Sequence, residues 1–129
     1  MISADQPKIL VCDDEPNIVM SLEFLLKKQK YRTFIARNGS EALQIAQQEA
    51  PDLIVLDIMM PDVDGYEVCR TIRQNPDLKH TRIVFLSAKS KESDIQIGMD
   101  AGADAYLTKP FSTRELLQRI IQLLETPRS

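Results

Sequence analysis

Asp57 follows the apolar run Leu53-Ile54-Val55-Leu56 and precedes Met59-Met60-Pro61 by one residue. A continuous run of branched aliphatics predicts a strand buried on both faces of a parallel sheet, and such sheets bind ligands at the carboxyl ends of their strands. Two further runs end in the same way. Lys8-Ile9-Leu10-Val11-Cys12 leads into Asp13-Asp14-Glu15, and Arg82-Ile83-Val84-Phe85-Leu86 leads into Ser87. Three strands therefore deliver polar groups to one edge. If Asp13, Asp14 and Asp57 converge there, each pair about 4 Å apart repels by roughly 4 kcal/mol at an effective dielectric of about 20. A divalent cation relieves that repulsion, and carboxylates completed by a backbone carbonyl and waters suit Mg²⁺. Lys109, just after Ala105-Tyr106-Leu107-Thr108, brings a positive side chain to the same edge. Its ammonium can pair with a carboxylate or with a phosphoryl group.

The elements that must position these groups alternate between strand-like and helix-like patterns five times, which predicts an α/β architecture of βαβ units around a parallel sheet. Pro16 suits a first helical position, and Ile18, Leu22, Leu25 and Leu26 form one stripe, giving a first helix over 16–29. Residues 31–36 read as the second strand, Asn38-Gly39-Ser40 as a turn and cap, and 40–48 as the second helix. A third helix over 65–74 turns Val68, Cys69 and Ile72 inward and stops at Asn75-Pro76. Ser90 is placed to cap a fourth helix ending near Gly102, in which Ile95 and Met99 share a face and Ile97 does not. Its short apolar stripe predicts one of the more mobile elements. A short strand over 105–108 and a last helix striped by Leu116, Leu117, Ile120, Ile121 and Leu124 complete the series.

The 129 residues suit one domain over 1–129, with a core at 8–125 and residues 126–129 as a tail or the start of a linker. A net charge of -3 argues against a nucleic-acid-binding face. The amino terminus lacks a basic segment followed by an apolar core, and no apolar run approaches the ~20 residues that span a bilayer. A cytoplasmic protein without membrane contact is expected. Cys12 and Cys69 have no CxxC spacing and read as free core thiols.

The acidic pair Asp13-Asp14, the acid Asp57, the hydroxyl of Ser87, the aromatic Tyr106 and Lys109-Pro110 occur in this order, each at a predicted strand end. Over essentially its whole length the chain thereby resembles the receiver domains of two-component response regulators. The resemblance implies a three-layer, doubly wound, flavodoxin-like fold around a five-stranded parallel sheet of order 2-1-3-4-5. It also implies phosphoryl transfer to Asp57 from a histidine of a kinase or phosphotransfer protein. Asp14, Asp57 and the backbone carbonyl of Met59 would hold Mg²⁺, with Mn²⁺ able to substitute and Asp13 acting through water. Lys109 would neutralise charge on the transferred group, and Ser87 would then bond a phosphoryl oxygen while Tyr106 turns toward the core.

Further expectations carried by the resemblance concern output. The Lys109-Pro110 bond is expected to be cis. Met59 and Lys89, two residues beyond the acceptor and the switch hydroxyl, would screen the phosphoryl group and slow its hydrolysis. The chain is thus expected to be a signalling module that catalyses its own phosphorylation and slow dephosphorylation, not a turnover enzyme. Its downstream protein partner would dock on the fourth helix, fifth strand and fifth helix, with Ile97 in that surface. Driving a population from 1:99 to 99:1 takes about 5.5 kcal/mol, within reach of a group that adds roughly -1.5 to -2 charge beside a lysine, a hydroxyl and a metal. Ala105 stands where many DNA-binding relatives carry an acid that helps to pair two receivers. A monomer is therefore favoured over a phosphorylation-dependent dimer, for which Asp104, Glu115 and Arg119 could still supply ionic pairs. A stand-alone receiver is favoured over one cut from a longer DNA-binding regulator.

Competing readings are weaker. Asp-Asp-Glu could simply cap the first helix, but that leaves Asp57 and Lys109 without a role. Ser87 and Tyr106, each taken alone, read as a turn cap and a half-buried strand aromatic. An aspartyl-phosphate hydrolase would carry a second acid where Met59 stands. Asp62-Val63-Asp64-Gly65 resembles part of a calcium loop, yet Met60 and Thr71 occupy its two anchor positions. His80, the only histidine, lies in a polar loop away from the predicted edge.

Overall fold

The computed structural model describes residues 6–126, so of the expected tail only Thr126 falls among the described residues. Five strands, β1 (Lys8–Cys12), β2 (Arg32–Ala36), β3 (Leu53–Asp57), β4 (Arg82–Ser87) and β5 (Ala105–Thr108), alternate with five helices. The helices are α1 (Pro16–Lys28), α2 (Gly39–Glu49), α3 (Gly65–Gln74), α4 (Glu92–Ala101) and α5 (Thr113–Glu125), with one 3-10 turn at Pro76–Leu78. All strand pairings are parallel, in the order β2-β1-β3-β4-β5. That is the doubly wound α/β arrangement expected above.

Strand side chains alternate between faces, and the apolar runs fill two cores at once. Leu10, Ile54, Leu56, Ile83 and Phe85 pack with Ala42 and Ala46 of α2 and Val68, Cys69 and Ile72 of α3. Ile9, Val11, Val55, Val84 and Leu86 pack with Leu22 and Leu26 of α1 and Leu116 and Ile120 of α5. Both cysteines are buried thiols outside any disulfide. In α1 the buried set is Val19, Leu22 and Leu26, with Ile18 and Leu25 only partly covered.

Three local expectations change. β2 begins at Arg32 because the amides of Lys30 and Tyr31 are taken by Lys27 and Leu26 carbonyls as α1 unwinds, with Lys30 left-handed at φ 69. Ser90 does not cap α4. The cap residue is Lys91, without a side-chain hydrogen bond, because the segment before it is held by Ser87 and Tyr106. Nor does α4 bury an Ile95/Met99 stripe. Its buried residue is Gly98, where a Cβ would come within 3.0 Å of the Tyr106 ring and 3.1 Å of the Phe85 ring. Close approach of the helix to the sheet replaces the missing apolar face.

Candidate functional site

Asp57 ends β3 opposite Leu86 and is 5% exposed. Asp13 follows β1, and its amide donates to the Ala36 carbonyl at 3.2 Å, extending the ladder by one bond. It is buried, whereas Asp14 faces solvent. One carboxylate oxygen from each of Asp13, Asp14 and Asp57 lies within 4.8 Å of the others. Lys109 is anchored by its amide, which donates to the Ser87 carbonyl at 2.8 Å. Its Nζ lies 3.2 Å from Asp13 Oδ2, 3.0 Å from Glu15 Oε1 and 3.6 Å from Asp57 Oδ2. The Lys109–Pro110 peptide bond is cis.

Charge at this edge is out of balance. Burial, and then the Asp13 carboxylate, push the Asp57 carboxyl up to about 6, with Lys109 only partly opposing them. Burial alone would lower the Lys109 pKa, but the Glu15 hydrogen bond and the charges of Asp57 and Asp13 raise it overall. Three converging hard oxygen donors, one open to solvent, with a single shared ammonium, are a donor set that fits Mg²⁺.

Two loops complete the surroundings. Gly65 donates to the Ile58 carbonyl at 2.8 Å and approaches so closely that a Cβ would lie 2.5 Å from the Asp57 carbonyl oxygen. Only glycine lets the β3–α3 loop close at its base. Behind β1, the Cys12 thiol donates to the Met60 sulfur at 3.1 Å, and burial raises its pKa far above the usual thiol range. This thiol is packing, not a nucleophile.

Ser87 is fully buried, and its Oγ accepts from the Lys89 amide at 3.1 Å. The Tyr106 hydroxyl donates to the Lys89 carbonyl at 2.8 Å. The two expected switch residues therefore hold the same residue, one at its amide and the other at its carbonyl. Tyr66, which the helical stripe of α3 passes over, belongs with them. Its hydroxyl donates to the Asp94 carbonyl in α4 at 3.1 Å. Its ring meets Phe85 edge-on at 5.6 Å, and Phe85 lies 5.9 Å from Tyr106. Burial, then the neighbouring Tyr106, push the Tyr66 hydroxyl up to about 12. Glu15, expected only as part of an acidic run, is a second missed residue, since it takes one of the Lys109 contacts.

Other site residues fall as follows. Met59 is 59% exposed and lines an open cleft with Ile58, Met60, Asp64, Tyr66 and Lys89. Ile97 is exposed on α4. His80 is exposed just before β4, at the opposite edge of the sheet. Asp104 is not available for pairing with a second copy. Its Oδ2 accepts from Arg73 Nη2 at 2.9 Å and from the Ile83 amide at 2.8 Å, and Arg82 lies 3.5 Å from Oδ1.

Comparison with known proteins agrees with this geometry. The family model described as the response regulator receiver domain matches residues 9–121. Among solved structures, the receiver domain of a signal transduction histidine kinase from Syntrophus aciditrophicus is 34% identical with a TM-score of 0.85, covering 92% of this chain and 90% of that one. The chemotaxis response regulator CheY4 of Vibrio cholerae is 30% identical with a TM-score of 0.86, covering 92% and 98%. A BeF3-activated receiver domain, DrrB, is 36% identical with a TM-score of 0.86, covering 94% and 99%. The chain belongs to the response regulator receiver domain family.

Proposed function

We propose that Asp57 accepts a phosphoryl group from a phosphohistidine of a kinase or phosphotransfer protein. An Asp57 carboxylate oxygen attacks phosphorus, the O–P bond forms as the N–P bond breaks, and the departing imidazole takes its proton from solvent. The observation that carries this reading is the placement of Asp57 at a strand end, with the Asp13 carboxylate and the Lys109 ammonium both beside it. Asp14, Asp57 and the Met59 carbonyl would hold Mg²⁺ or Mn²⁺, with Asp13 acting through water, and the ion would neutralise the charge that develops on the transferred oxygens. Lys109 contributes from the other side. Its contact with the exposed Glu15 is weak enough to give up, since ion pairs of that kind are worth about 0–1 kcal/mol.

Ser87 then turns its hydroxyl to a phosphoryl oxygen, which takes it from the Lys89 amide. The loop that carries Lys89 is drawn inward, Tyr106 turns further toward the core, and the movement reaches α4 through Phe85 and Tyr66. The changed surface of α4, β5 and α5 binds a protein partner, while Met59 and Lys89 at the cleft mouth slow hydrolysis. The protein is read as a cytoplasmic signalling module with no substrate turnover of its own, and as a monomer. Incubation with Mg²⁺ and a small acyl phosphate should give one phosphoryl adduct by intact mass, absent in Asp57→Asn. An adduct that persists in Asp57→Asn overturns the assignment.

A further inference from the structure

The β3–α3 loop carries Met59 and is closed at its base by Gly65, but its tip is fixed elsewhere. Asp62 sits in the left-handed region at φ 66, and its Oδ1 accepts from the Gly39 amide at 3.1 Å and from the adjacent Val63 amide. The Ser40 hydroxyl first, then the Val63, Ser40 and Gly39 amides, hold this exposed carboxyl below the usual carboxylate range. The Gly39 and Ser40 amides belong to the first turn of α2, and the Val63 amide to the loop itself. Asn38 caps that helix through the Glu41 amide at 2.8 Å, leaving the two preceding amides to be satisfied from outside. Asp62 supplies the acceptor from 23 residues away. At the same contact Gly39 lies so close to Val63 that a Cβ would stand 2.1 Å from the Val63 carbonyl oxygen. The loop is therefore latched to the helix by a carboxylate and by a backbone approach that only glycine permits.

We infer that Asp62 is a positioning residue for the cation site. It fixes the β3–α3 loop against α2 so that the backbone of Met59 is held beside Asp13, Asp14 and Asp57. This rests on the reading of Met59 as a backbone ligand given above. A group that orients a ligand without touching the metal typically changes affinity by about 10–100-fold when removed.

Magnesium titration of the unphosphorylated protein by calorimetry, with Asp62→Ala, Asp62→Gly and Asp62→Asn, tests it. Asn keeps the acceptor oxygen and tolerates a left-handed backbone, Gly keeps the backbone conformation without the acceptor, and all three lose the charge. The expected result is a Kd about tenfold higher in the Ala and Gly variants than in the Asn variant. Amide exchange at Gly39 in the metal-free protein should be faster in the same two. Equal Kd values in all three variants overturn the inference, as does a Gly variant that matches Asn, which would leave only the backbone conformation in play. A parent protein that binds no Mg²⁺ overturns the functional reading instead, so the two failures are distinguishable.

Discussion

At the carboxyl ends of the strands three carboxylates share one lysine; at the amino ends two guanidiniums share one carboxylate. The second cluster is tied to the backbone through Arg73 and Asp104, although Arg82 Nη2 is buried without a hydrogen-bond partner among the described residues. Arg73 donates to the Gly102 carbonyl at 2.8 Å, to the Thr81 carbonyl at 2.7 Å and to Asp104, which also takes the Ile83 amide. It joins α3, β4 and the approach to β5 into one clamp. In the first cluster the backbone supplies the Glu15 amide to Asp13 and the Met59 amide to Asp57, and burial, then the like charge of Asp13, lifts the Asp57 pKa. Charge that the backbone absorbs serves the fold; charge left in excess is what the proposed cation and phosphoryl group would answer.

The contrast breaks most easily at the clamp. Asp104→Ala leaves two nearly buried guanidiniums without their shared carboxylate and should cost about 3–5 kcal/mol in urea unfolding; a loss under about 1 kcal/mol would make the two ends equivalent.

The opposite sign is expected at Asp57. Its folded pKa, near 6, lies above the 3.8 of the unfolded chain, so the folded state binds the extra proton. Stability falls as pH rises through that window and stays lower above it, by roughly 3 kcal/mol. In chelator, Asp57→Asn should remove the penalty, and the stability gap between variant and parent should open between about pH 4 and 6. A gap independent of pH would show that the surplus charge is not what costs stability.

Magnesium at ten times its Kd should raise the stability of the parent by about 1.4 kcal/mol and leave Asp57→Asn less responsive. Thermal melts in paired buffers measure this. The smallest effect is expected from Tyr66→Phe, which removes one hydrogen bond to α4 and should cost about 1 kcal/mol. Amide exchange in α4 should quicken; unchanged exchange there would detach Tyr66 from the switch.

The strands and the residues that end them were legible because burial on both faces leaves a continuous apolar signature that stops at a polar residue. Asp57, Asp13 and Ser87 could be placed by that rule; Lys109 follows β5, which is only half-buried and ends at Thr108, and was placed by its position after the last strand. Tyr66, Asp62 and the true partners of Asp104 could not be placed in either way. Arg73 and Asp104 are 31 residues apart, and Gly39 and Asp62 are 23 apart. No periodicity encodes such pairings, which depend on loop conformation. The packing of α4 was illegible for another reason. Its contact is made by Gly98, whose lack of a side chain reads in sequence as weakness.

The sheet also separates two unlike interiors. The aromatic rings around Ser87 all border the compartment beneath α2, α3 and α4, while the fully buried lining on the other side, from Ile9 to Ile120, is aliphatic. Close-packed interiors of that kind yield little and transmit strain instead of absorbing it. If Ser87 moves as proposed, the aromatic compartment is the one whose rings border it, and the displacement would pass through Tyr106 and Phe85 to Tyr66.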